Sequence, residues 1–169
     1  MNFLNYLLEL FTNVISNGVF GISLVDYGLI ISSIIFSLLI RGLTAKLLVK
    51  KIKKIVINTN NKVDDKLFEA LVPPLKLLPI VVVFLLITVY FDLGSTTSQY
   101  FNKINTTLST IFVFWFIHQS LIPFAAYIHK LQEFLSKALY LWLIKSLKYL
   151  VIFLGIVAVL EVWGIKIGP

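Results

Sequence analysis

Between Leu77 and Phe91, between Ile104 and Ile128, and again between Tyr149 and Leu160, the chain carries no Asp, Glu, Lys or Arg. Uncharged apolar runs of that kind cannot form the surface of a protein in water, and the longest is enough to cross a hydrocarbon core of about 30 Å. Lipid is therefore the expected solvent. Hydrophobic residues make up 59% of the 169 positions and charged residues only 14%, with a mean hydropathy of +0.94. Soluble domains typically place about a quarter of their residues in charged types.

The charged residues mark the ends of the runs. A first span is predicted over Leu24–Ala45, begun at Asp26 and interrupted near its far end by Arg41, whose long side chain can reach the headgroups. The helix is expected to run on through Lys46, Lys50, Lys51, Lys53 and Lys54 as a basic cytoplasmic extension. Polar residues Asn58–Lys62 break the pattern, and Asp64-Asp65 then sits where acidic residues favour a new helix start. The second span has its core at Leu77–Phe91, and Pro73, Pro74 and Pro79 bend or break its beginning because each lacks an N–H and clashes with the preceding turn. Asp92–Lys103 reads as an outer loop, Ile104–Ile128 as the third span, His129–Lys148 as a second basic inner segment, and Lys145–Ile165 as the fourth span.

Residues 1–22 place Leu4, Leu7, Leu8, Phe11, Val14 and Ile15 at helical spacing opposite Asn2, Asn5, Glu9 and Asn13. That pattern predicts an amphipathic helix at the interface, or a fifth short span. The N-terminus lacks the early basic residues and small-residue cleavage pattern of a secretory signal. The expected organisation is thus an N-terminal helix over 1–22, a transmembrane hairpin over 23–93 with a basic loop, and a second hairpin over 94–169. The fold class is all-α: a polytopic transmembrane bundle of four spans with an outward-facing N-terminus.

A formal charge of +7 raises the question of nucleic acid, but the basic residues concentrate beside the spans and no nucleic-acid motif accompanies them. Membrane lipids are the expected partner. With no cysteine, the chain has neither a disulfide framework nor a thiolate site. No nucleophile with a base, metal set or converging carboxylate pair is visible, so neither enzymatic activity nor a cofactor is expected. Asp64 and Asp65, about 100° apart on a helix, would not face one substrate. His129 beside Lys130 reads as a solvated interfacial residue.

His118, Gln119 and Ser120 are the polar trio within a predicted span. Intramembrane polar residues point to proton or substrate handling; the blander reading is a neutral histidine bonded to a neighbouring helix. Tyr127, Tyr140, Trp142 and Trp163 fall near predicted boundaries and fit an aromatic belt. Glu161 reads as a boundary residue at the outer headgroups, although a carboxylate there would also suit a polar entrance.

Two stretches resemble the small-conductance mechanosensitive (MscS-like) channel family. Leu160-Glu161-Val162-Trp163-Gly164-Ile165-Lys166-Ile167-Gly168-Pro169, after a span, a basic inner loop and another span, is similar to the short leucine-to-glycine-to-isoleucine turn ahead of that family's pore helix. Lys62-Val63-Asp64-Asp65-Lys66-Leu67-Phe68-Glu69-Ala70-Leu71-Val72-Pro73-Pro74-Leu75 resembles the Asp-Asp-led segment of its larger members, which carry additional N-terminal helices. The resemblance implies the tension-sensing membrane portion of a channel in a bacterial inner membrane, forming a homo-oligomer that protects by ion efflux. The pore helix and the β-rich domain would then begin beyond Pro169, and this portion would not conduct by itself.

On that reading Arg41, Lys46, Lys50 and Lys51 anchor the inner interface, Pro73, Pro74 and Pro79 bend the second helix, and Gly155 permits close packing in the fourth. Two other classes remain open: a small secondary transporter built on His118, Gln119 and Ser120 at mid-membrane, and a membrane subunit without transport of its own.

Overall fold

A computed structural model describes residues 3–17, 22–57, 68–91, 93, 95–127 and 136–167, and among them every regular element is a helix. In chain order these are α1 (Phe3–Asn17), α2 (Leu24–Ile57), α3 (Val72–Leu75), α4 (Leu78–Tyr90), α5 (Ser95–Tyr127) and α6 (Lys137–Val162). Among the described residues, three stretches, Leu24–Lys54, Val72–Tyr90 and Lys137–Val162, are long and apolar enough to cross a membrane. The chain is accordingly a multi-pass, all-α membrane protein. α5 is also long, but its first turns carry Ser95, Thr96, Thr97, Ser98, Gln99, Asn102 and Lys103, and His118-Gln119-Ser120 interrupts its apolar part.

The helix starts follow local chemistry. Ser23 caps α2: its Oγ accepts from the Asp26 backbone N–H at 3.1 Å and donates to Asp26 Oδ2 at 2.7 Å, a reciprocal pairing that satisfies an N–H the helix leaves free. Ser136 caps α6 by accepting from the Leu139 N–H at 3.3 Å. α2 then continues unbroken to Ile57, so the lysine-rich stretch is the end of the same helix.

Pro73, Pro74 and Pro79 break the beginning of the second span. The chain forms the short α3, turns at Lys76–Leu77 and restarts as α4, with prolines in the first positions of both helices. A proline there gives up an N–H that has no intrahelical partner in any case. Pro74 and Pro79 are buried and Pro73 is exposed.

Two boundaries differ from the sequence reading. Residues 95–103, expected in a loop, belong to α5, whose exposed Thr106, Thr107 and Thr110 hydroxyls donate to carbonyls four residues back and so are satisfied within the helix. α6 begins at Lys137 rather than near Lys145, because Ser136 supplies the cap; Lys145 and Lys148 lie within the helix. Asn58–Lys62, Asp64, Asp65, Asp92, His129, Lys130 and Glu133 lie outside the described residues.

Two apolar clusters tie α2, α3, α4 and α5 together. Ile22, Ile30, Ile87 and Leu93, with Tyr27, Val83 and Phe101 against them, close the end where α2 begins, and Phe84 stacks on Phe101 at 6.1 Å. Ala45, Phe68, Leu71 and Leu75, flanked by Leu48, Ile52, Phe112 and Phe116, close the lysine end. Inside hydrocarbon the hydrophobic effect does not favour protein over lipid, so close packing holds the helices together there. Ser37, fully buried on α2, is tolerated because its hydroxyl donates to the Ile34 carbonyl at 2.8 Å.

Candidate functional site in the α5–α6 hairpin

α6 is antiparallel to α5 and has α5 as its main partner, and none of its residues is buried. One seam joins them closely. A Cβ built on Gly155 would lie 3.0 Å from Phe114 Cβ and 3.1 Å from Phe114 Cγ, closer than side chains ordinarily pack. Glycine here is what lets the two helices approach.

Beside that seam an open groove of about 560 Å³ is lined by Ile111, Trp115, His118, Gln119, Ile152 and Leu160, among others. His118 and Gln119 reach it, while Ser120 is buried and its hydroxyl donates to the Phe116 carbonyl at 2.7 Å. The trio therefore does not converge on one cavity. Phe112 and Phe116 pack on the cluster containing Ala45, so this part of α5 lies beside the lysine end of α2. Among the described residues, no group of three His, Asp or Glu side chains stands close enough to hold a metal.

A second contact pins the far end of α6. Trp163 Nε1 donates to Thr107 Oγ1 at 3.2 Å, and Lys103 Nζ lies 5.8 Å from the centre of the Trp163 rings. The helix closes immediately there: the Gly164 N–H bonds the Glu161 carbonyl at 2.9 Å and the Ile165 N–H bonds the Leu160 carbonyl at 3.1 Å. This is a Schellman closure, and Gly164 with φ 87° supplies the left-handed residue it requires. The sequence reading placed Trp163 in an aromatic belt and Lys103 in a loop; only the helical extension of α5 to Ser95 brings the two together. Asn105, in the same turns of α5, holds a buried Oδ1 without a hydrogen-bond partner.

Replacing Trp163 with Phe removes the bond to Thr107 and weakens the attraction of the Lys103 cation to the ring face, a loss of about 1 kcal/mol. Amide exchange over Leu160–Ile165 should then speed about fivefold, as that free energy implies for a local opening. Unchanged exchange would show that the tip is held by α6 alone.

The remaining sequence candidates are spread out. Arg41, Lys46, Lys50 and Lys51 are exposed along the second half of α2, and Pro73, Pro74 and Pro79 stand at the α3–α4 break. Compared with known protein families, with curated proteins and with solved structures, the chain matches none.

Proposed function

We propose that this chain is the tension-sensing membrane region of an MscS-like mechanosensitive channel, which as a full-length homo-oligomer relieves osmotic stress by ion efflux. The observation that carries the reading is α6: an apolar helix with no buried residue whose main partner is α5, met closely at Gly155 and Phe114 and again at the Trp163 tip. A hairpin so joined exposes a large area to lipid and changes that area when it tilts or slides. Tension then biases two states by their difference in area, with no chemical ligand required. The positive-inside bias supports a cytoplasmic lysine end and a periplasmic N-terminus in a bacterial inner membrane.

The test is electrical. Full-length protein in liposome patches should pass current under suction and should protect cells on osmotic downshock, with α6-seam variants shifting the threshold. Silence under suction together with no protection would reject the reading. A secondary transporter is the competing reading, favoured by His118 and Gln119 lining one groove. It predicts solute uptake that His118→Ala abolishes while the protein stays folded.

A further inference from the structure

The lysine end of α2 carries a second concavity. An open groove of about 600 Å³ runs between α2 and the start of α3, with Lys46, Lys50 and Lys53 on one wall and Phe68, Glu69 and Val72 on the other. Spacings of four and three residues put the three lysines on one face of α2. Lys51 and Lys54, though just as basic, do not line it.

Depth decides what such a groove meets. Twenty residues of helix span about 30 Å of hydrocarbon, so a crossing that starts at Leu24 uses α2 up to about Leu43. Lys46 and Lys50 then emerge about 5–10 Å beyond, in the headgroup layer, and Lys53 has a stem long enough to reach back to it. The opposite wall is apolar at Phe68 and Val72, and Phe68 belongs to the buried cluster at this end. Among the described residues that line it, Lys46 and Lys50 alone set two cations against one carboxylate, that of Glu69, above an apolar wall. That combination complements a negatively charged headgroup whose glycerol and upper acyl chains continue into the bilayer.

We propose that this groove binds the phosphate headgroup of an anionic phospholipid, seated between Lys46 and Lys50 on α2 and the start of α3. The inference rests on the membrane placement of α2 and stands whether or not the chain senses tension. Bound there, the lipid bridges the end of the first span to the beginning of the second, so that its charge ties two helices together. A diffuse basic patch attracts anionic lipid without choosing which lysines it uses; a seat does choose.

Equal changes of charge separate the two cases. Full-length protein in detergent is titrated with phosphatidylglycerol or phosphatidylcholine, and bound lipid is counted by native mass spectrometry. The double variant Lys46→Gln/Lys50→Gln should lower phosphatidylglycerol affinity by about twenty-fivefold, roughly fivefold for each lysine. The double variant Lys51→Gln/Lys54→Gln, with the same net charge, should change it less than threefold. Circular dichroism and elution volume confirm that both variants keep their fold, and since all four positions are on one helix, misfolding of one pair alone is separately visible.

Equal losses in the two variants would overturn the proposal, as would no preference for phosphatidylglycerol over phosphatidylcholine. Soluble glycerol phosphate competing as strongly as the lipid would also overturn it, because the site would then take a free anion.

Discussion

An aspartate at Phe153 should keep α6 out of the membrane. Phe153 lies near the middle of the uncharged run Tyr149–Leu160 and is 61% exposed, so its ring faces lipid if α6 crosses the bilayer. A carboxylate at the centre of a spanning helix costs about 2.5–3.5 kcal/mol on insertion, which lowers the insertion equilibrium constant about a hundredfold. Aspartate is the sharper choice than lysine, whose stem could carry its charge toward the headgroups. The same substitution at Trp142, 65% exposed but on the lysine-bearing part of α6, should cost little. A reporter fused after α6 and alkaline extraction of membranes read both outcomes: Phe153→Asp strands the reporter on the lysine side, Trp142→Asp does not. If both variants insert alike, the exposed face of α6 is not a lipid face.

The elements that sequence made legible are those that hydropathy writes directly. The Leu24 span running on into its lysines, the proline break before Leu78 and the apolar run to Leu160 all reappear as α2, the α3–α4 turn and α6. What was illegible depends on caps and on pairs distant in sequence. Ser136 starts α6 more than three turns before the apolar run begins at Tyr149, through a single hydroxyl whose role is invisible without its N–H partner. The polar residues 95–103 continue as helix where Thr106 and Thr107 donate their hydroxyls back to the Asn102 and Lys103 carbonyls, and where Phe101 has Phe84 to stack on. The same limit applies to the site. Gly155 was legible as a small residue in a span, but its partner Phe114, the Trp163–Thr107 bond and the groove beside Phe68 require knowing which residues of α5, α6, α2 and α3 lie level. His118, Gln119 and Ser120 show the reverse: adjacent in sequence and alike in polarity, they face different surroundings once the helix is packed.

The seam at Gly155 sets the second large expectation. Two effects oppose each other in Gly155→Ala: alanine improves the helix by up to about 1 kcal/mol, while its methyl would sit 3.0 Å from Phe114 Cβ. The atoms in the way are Phe114 Cβ and Cγ, which lie next to the backbone and do not swing aside with the ring. The helices must separate instead, so alanine should come out close to neutral or slightly destabilising. Leucine has no such balance. Its extra carbons enter the space of the Phe114 ring, and overpacking of this kind costs about 1–3 kcal/mol. For a protein of this size that lowers the midpoint of thermal unfolding in detergent by roughly 2–12 °C. Adding Phe114→Ala to Gly155→Leu removes the ring that the leucine meets and should restore part of the loss, a coupling of about 0.5–3 kcal/mol between residues on two helices. Strict additivity of the two substitutions would mean that α5 and α6 do not meet at this pair, and the attachment from which we propose tension sensing would go with it.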